Sequence, residues 1–161
     1  MASGELARLA EDGSPGQLAD LYSPMPGVND AFVFNTGAPY FGGETLEITV
    51  EVSRDYPLVT IASMAINTND AFVALNGCRV YNGLVLDEPA LDAGSEENDE
   101  LCANIPGPAC AMDDGTNPNG NSGENEEGFV HVHRGFHGVG DLTEARYDWR
   151  NPMMRVEVSR A

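Results

Sequence analysis

Hydrophobic and polar residues alternate along several short stretches of this chain, which is the pattern of β-strands with one buried face. The clearest stretch is residues 45–53, where Leu46, Ile48, Val50 and Val52 alternate with polar side chains. The same criteria predict strands at residues 31–34, 58–64, 72–75, 84–86, 129–133 and 154–158. Asn82-Gly83 separates residues 80–81 from residues 84–86 and predicts a tight hairpin turn. Short strands separated by turn residues predict an all-β fold, an antiparallel β-sandwich.

In the N-terminal region the apolar residues recur with the spacing of a helix, which predicts a short helical segment. Leu6, Leu9 and Ala10 lie on one face of a first helix that ends at Asp12-Gly13. Ser14-Pro15 then matches an N-cap followed by proline at the first helical position of a second helix. The length of 161 residues suits a single domain over residues 1–161.

The charge of the chain excludes some classes of partner. It carries 26 carboxylates against 8 arginines, with no lysine, for a net charge of −18. This argues against nucleic acid and against attraction to anionic lipid, whereas it permits binding of divalent cations. No apolar run is long enough for a transmembrane helix, and residues 1–5 have no features of a signal peptide.

Three carboxylates are placed where strands give way to loops. Asp70 lies at a polar corner between the predicted strands 58–64 and 72–75, so two rigid elements hold it while it still meets water. Asp92 and Glu96 are four residues apart across a glycine, so the chain can curl and bring both to one ion. Calcium prefers six to eight oxygen ligands, and these residues predict a calcium site. The simpler alternative is that each is a solvated surface carboxylate.

Residues 92–127 are rich in Gly, Asn, Asp, Glu and Pro and predict a long loop, which a bound metal and a disulfide would order; the alternative is disorder around residues 113–128. Cys102 and Cys110 bracket a turn-rich stretch within it and predict a disulfide, which leaves Cys78 as a buried free thiol. Residues 113–124 loosely match an EF-hand loop, but Pro118 replaces the required glycine, and we interpret them as a solvated polar loop.

The three histidines, His131, His133 and His137, lie within seven residues. Two of them share one face of a predicted strand, and a glycine-rich turn can fold the third back. The trio is a candidate second site for zinc or copper. The alternative is that these histidines hydrogen-bond backbone groups or pair with Asp141 and Asp148.

Residues 63–64, 69–75, 92–96, 128–142 and 147–152 together resemble the spondin domain family, as in F-spondin and mindin, and most closely its bacterial secreted branch. The resemblance implies a C2-like β-sandwich that binds calcium through acidic loops at one end. The family's calcium-binding aspartates fall on Asp70, Asp92 and Glu96. The third position is therefore Glu where the family has Asp.

Family members usually have a strand or two ahead of the helix that residues 5–13 resemble, and this chain starts almost at that helix. We therefore expect the sandwich to lack an N-terminal strand and to leave a sheet edge open for pairing with another chain. The first hypothesis is a secreted, calcium-binding, non-catalytic adhesion or interaction module whose partner is an extracellular protein or glycan. The alternatives are a metalloenzyme that uses the histidines and a subunit of an extracellular assembly formed by strand addition.

Overall fold

The structure, a computed structural model, describes residues 2–34, 39–111 and 127–161. The stretch at residues 113–124, which the sequence predicts to be a solvated polar loop, lies outside these ranges. The described residues form α1 (Gly4–Asp12), α2 (Gly16–Tyr22), β1 (Leu58–Met64), β2 (Ala71–Arg79), β3 (Val85–Glu88), β4 (Ala90–Asp92), β5 (His131–Val132), α3 (Glu144–Tyr147) and β6 (Met154–Glu157). A single 3₁₀ turn spans Pro108–Cys110. No helix in the described ranges has the length and apolar character needed to cross a membrane.

Two antiparallel sheets make up the fold, which is compatible with a β-sandwich. The larger sheet has the order β1-β2-β4-β5, and the smaller one pairs β3 with β6. In the larger sheet Asp92 of β4 lies opposite Ala71 of β2 on one side and His131 of β5 on the other. This register places the ends of β2, β4 and β5 next to one another, at the end of the sheet that carries the predicted acidic residues.

The predicted N-terminal helices are confirmed, with one shift at the second. Ser3 caps α1 by accepting the backbone N–H of Leu6, and Gly13 ends the helix with a left-handed conformation (φ 68°). The second helix begins at Gly16, one residue later than the Ser14 cap predicts. Ala10 of α1 packs against Phe72 and Ala93 in one of the two small apolar clusters.

The second apolar cluster holds the C-terminal loops. Ile105 and Cys110 pack with Phe136 and Leu142, and Trp149 lies against them. The predicted disulfide between Cys102 and Cys110 is present and closes the loop around this cluster. Cys78 is a free thiol, as predicted, but it is half-buried rather than buried.

Two predicted strands are absent from the described residues. Residues 31–34 and 45–53 take part in no ladder, and Leu46, Val50 and Val52 are exposed. The predicted hairpin is also wrong, although its turn is present: Leu84 N–H donates to Tyr81 O, yet the following strand pairs with β6 instead of β2. Alternation describes which face a residue takes in a strand, but it does not supply the neighbouring strand that the hydrogen bonds require.

Candidate metal centre

The corner between β1 and β2 is a closed and buried turn. Thr68 is its centre, since its hydroxyl donates to Ala65 O (2.6 Å) and accepts the N–H of Ala71 (3.1 Å). The two ends are joined by a further bond from Ala65 N–H to Ala71 O (2.8 Å). Asp70, between Thr68 and Ala71, is thereby held at a fixed place at the start of β2.

Asp70 binds the loop after β4 with one of its two carboxylate oxygens. Its Oδ2 accepts the backbone N–H of Ser95 (2.7 Å), the hydroxyl of Ser95 (3.2 Å) and the backbone N–H of Glu96 (3.1 Å). The backbone carbonyl of Asp70 also accepts the N–H of Ala93 (3.1 Å). Its Oδ1 is buried and has no hydrogen-bond partner in the part of the chain that the structure describes.

Asp92 and Glu96 are two further buried carboxylates whose charges act on or are acted on by that of Asp70. The relative exposures of Asp70, Asp92 and Glu96 are 0%, 1% and 2%, so all three predicted calcium ligands are buried, but their ligand atoms do not all lie within 4.8 Å of one another. Asp92 is oriented by the N–H of Gly94 at Oδ1 (2.8 Å) and by the side-chain amide of Asn98 at Oδ2 (2.6 Å). Glu96 Oε2 is a second buried oxygen without a partner among the described residues.

No salt bridge reaches Asp70 or Glu96 within the described ranges. The ion pairs there join Arg155 to Asp87 and His131 to Asp92. Burial, and then the negative charge of Asp92, raise the pKa of Asp70 to about 6. Burial, and then the negative charges of Glu11 and Asp70, raise the pKa of Glu96 to about 8. A bound cation would remove both the repulsion and the unpaired oxygens.

A second group of potential ligands shares Asp92. One ligand atom each from Asp92, Glu127 and His131 lies within 4.8 Å of the other two, and this group could hold a metal ion. Asp92 is buried, His131 is half-buried and Glu127 is exposed, so the group lies where the buried carboxylates meet the surface. Sequence reasoning missed Glu127, because it follows a run of acidic residues from which nothing local distinguishes it.

Gly94 allows residues 92–96 to lie close to residues 127–129. Its carbonyl accepts the N–H of Gly128 (2.9 Å), and a Cβ at this position would lie 2.4 Å from Phe129 O. It also has a positive φ of 66°, which side chains rarely adopt. This contact lays residues 92–96 on residues 127–129 and so brings Glu127 towards Asp92.

Replacing Gly94 by alanine should therefore separate the two segments. The left-handed backbone and the contact with Phe129 O should together lower the free energy of unfolding by at least about 2 kcal/mol. Thermal melting of the two variants and the wild type measures this. Gly42→Ala is the matched control, because a Cβ there meets nothing within 4 Å. Equal melting temperatures for the two variants would contradict the assigned role of Gly94.

The structure does not bring the three histidines together as one set of ligands. His133 uses both ring nitrogens: Nδ1 accepts the N–H of Gly135 (3.0 Å), and Nε2 is 2.9 Å from Asn98 Oδ1. Burial lowers the pKa of His133, and its ring packs on Trp149 with centroids 4.9 Å apart. His137 is exposed, so only His131 belongs to a group that could hold a metal among the described residues.

Glu100 is a further buried carboxylate, and its role is structural. Its side-chain oxygens accept the backbone N–H groups of His137 (2.5 Å) and Val139 (2.8 Å), so it holds the glycine-rich turn. Both its oxygens are satisfied, in contrast to those of Asp70 and Glu96. Burial alone does not identify a ligand, whereas burial with an unpartnered oxygen does point to one.

Comparison with known proteins adds no relative: no family model, no curated protein and no solved structure matches this chain. The resemblance to the spondin domain family stays a prediction from the residues that carry it.

Proposed function

We propose that this chain is a calcium-binding, non-catalytic extracellular interaction module in which Asp70, Asp92 and Glu96 hold the ion. The observation that supports this most directly is the pair of buried oxygens without a partner among the described residues, Asp70 Oδ1 and Glu96 Oε2, together with the buried carboxylate of Asp92. A buried carboxylate oxygen without a donor is costly, and several such groups close together are costlier still because their charges repel. A divalent cation would provide the missing partners once these side chains converge on it, since their ligand atoms do not all lie within 4.8 Å of one another in the structure.

Calcium is the ion that fits these ligands best. The three side chains offer oxygen only, and carboxylates that bind in one- or two-oxygen mode suit the six to eight ligands that calcium takes at about 2.3–2.6 Å. Magnesium demands a strict octahedron and retains several waters, which a buried group of this kind accommodates less readily. Nearby backbone carbonyls and water would complete the calcium shell.

The proposed role of calcium is to fasten loops to the sheet. Asp70 precedes β2, Asp92 ends β4, and Glu96 lies in the loop that follows, so an ion bound by all three joins two strands and a loop. Ions that bind only the folded state stabilise it by mass action. The extracellular location, the C2-like topology and the adhesion role follow from the resemblance to spondin domains, with an extracellular protein, a glycan or a second copy at an open sheet edge as partner.

Metal analysis and calorimetry test the proposal directly. Protein stripped with a chelator and dialysed against calcium should retain one calcium per chain, and titration with calcium should saturate at that ratio. Magnesium at the same concentration should bind more weakly. Retention of no calcium after dialysis, with an unchanged melting curve, would refute the calcium site.

A further inference from the structure

We infer that Asp92, Glu127 and His131 form a separate binding site for a transition-metal ion of the zinc type at the edge of the proposed calcium site. This group includes an imidazole nitrogen, and the calcium proposal uses only oxygen ligands. Nitrogen, together with one or two carboxylates, is a ligand set that zinc and related ions accept and that calcium does not favour.

The spacing of the ligand atoms supports a shared ion rather than a hydrogen bond. His131 Nε2 lies 3.7 Å from Asp92 Oδ1. A hydrogen bond between an imidazolium and a carboxylate would be about 2.7–2.9 Å. Two ligands placed about 2.0–2.2 Å from a tetrahedral zinc ion are about 3.4 Å apart. The observed separation is closer to the spacing of two ligands on one ion.

The other ring nitrogen of His131 fixes which nitrogen faces the carboxylates. Nδ1 is 3.1 Å from the backbone carbonyl of Val132. A carbonyl oxygen only accepts, so Nδ1 carries a proton, and Nε2 is the nitrogen that faces Asp92. A backbone carbonyl that holds the remote N–H is the usual arrangement around a metal-binding histidine. Phe129 packs beside the ring, with centroids 5.2 Å apart, and restricts its rotation.

Asp92 can serve both ions. A carboxylate has two oxygens with about four lone-pair sites, and Asp92 Oδ1 is the atom that faces His131. The exposure of Glu127 and the partial exposure of His131 leave the outer side of the site open to water. With three protein ligands, one position on a tetrahedral ion remains for solvent or for a group from a partner.

Zinc binding by the calcium-saturated full chain tests the inference. Competition with a chromogenic zinc chelator at pH 7.5 should show saturation at one Zn²⁺ per chain. Both His131→Ala and Glu127→Gln should weaken zinc binding by at least roughly tenfold, since outer partners alone are worth about that much. Cobalt(II) should give visible absorption bands of a low-coordinate site in the wild type, and these bands should disappear in His131→Ala.

The control is His137→Ala, which removes an exposed histidine outside the group and should leave zinc affinity unchanged. Equal zinc affinity in the wild type and all three variants would show scattered surface binding and overturn the inference, and so would failure of the wild type to bind zinc. His131→Ala should keep the calcium-dependent rise in melting temperature. Zinc affinity and the calcium-dependent rise in melting temperature therefore test the zinc site and the calcium site separately.

Discussion

Asp70→Asn should abolish the stabilisation by calcium and yet leave the calcium-free protein at least as stable as the wild type at pH 8. The carboxylate of Asp70 is fully buried, lies near Asp92 and has one oxygen without a partner among the described residues, so its charge destabilises the empty site. The amide oxygen of asparagine can still accept the N–H groups of Ser95 and Glu96. The substitution thus removes the ligand charge while it retains the acceptor that holds the loop.

The expected size of the stabilisation by calcium follows from mass action. Calcium at about a hundredfold above its dissociation constant adds about 2.7 kcal/mol to the free energy of unfolding. For a chain of this length that corresponds to a rise of about 5–10 °C in melting temperature. Thermal melts in chelator and in calcium measure the rise in the wild type and its absence in Asp70→Asn.

Asp87→Asn is the matched control for this experiment. Asp87 is exposed and pairs with Arg155 through two hydrogen bonds of 2.7 and 2.8 Å. Exposed ion pairs contribute little to stability, so this variant should melt close to the wild type and should respond fully to calcium. The site assignment fails if Asp70→Asn still gains as much from calcium as Asp87→Asn does.

The stability of the calcium-free protein should fall as the pH rises through the neutral range. The pKa of Asp70 is raised to about 6 and that of Glu96 to about 8, both above the ordinary carboxyl values that the unfolded chain has. The folded state therefore prefers the protonated forms. Their contribution to stability is fully present below about pH 4 and is lost as the pH rises through about 6 and then about 8.

Calcium competes with these protons, so the rise in melting temperature that calcium causes should be small at pH 5 and largest near pH 8.5. Melting curves over this range, with and without chelator, give both trends. Glu96→Gln should flatten the upper part of the calcium-free profile, whereas Glu51→Gln, at an exposed position, should not change it. A calcium increment of equal size at pH 5 and pH 8.5 would be incompatible with buried carboxyl ligands.

Much of the candidate site was predictable because its signals are local. Asp70 follows an apolar run that forms β1 and precedes one that forms β2. The glycine between Asp92 and Glu96 allows the curl that buries both. These features depend on residues close together in the chain, where conformational preference and polarity act directly.

Other parts of the site depend on contacts between distant segments. Glu127 joins Asp92 because Gly94 packs on Phe129, and His133 is occupied by Asn98, which lies 35 residues away in the chain. No spacing rule relates these positions. Such a contact exists only when the sheet order and the loops bring the two segments together.

The sequence by itself determined the two N-terminal helices, strands β1 and β2, the pairing of Cys102 with Cys110 and the position of Asp70 between two strands. Only the tertiary structure decided that β3 pairs with β6, that residues 45–53 have no ladder, and that His131 rather than the histidine trio faces carboxylates. The spacing of apolar residues indicates which face of each segment is buried. Which strand it pairs with depends on packing and on hydrogen bonds across the whole chain.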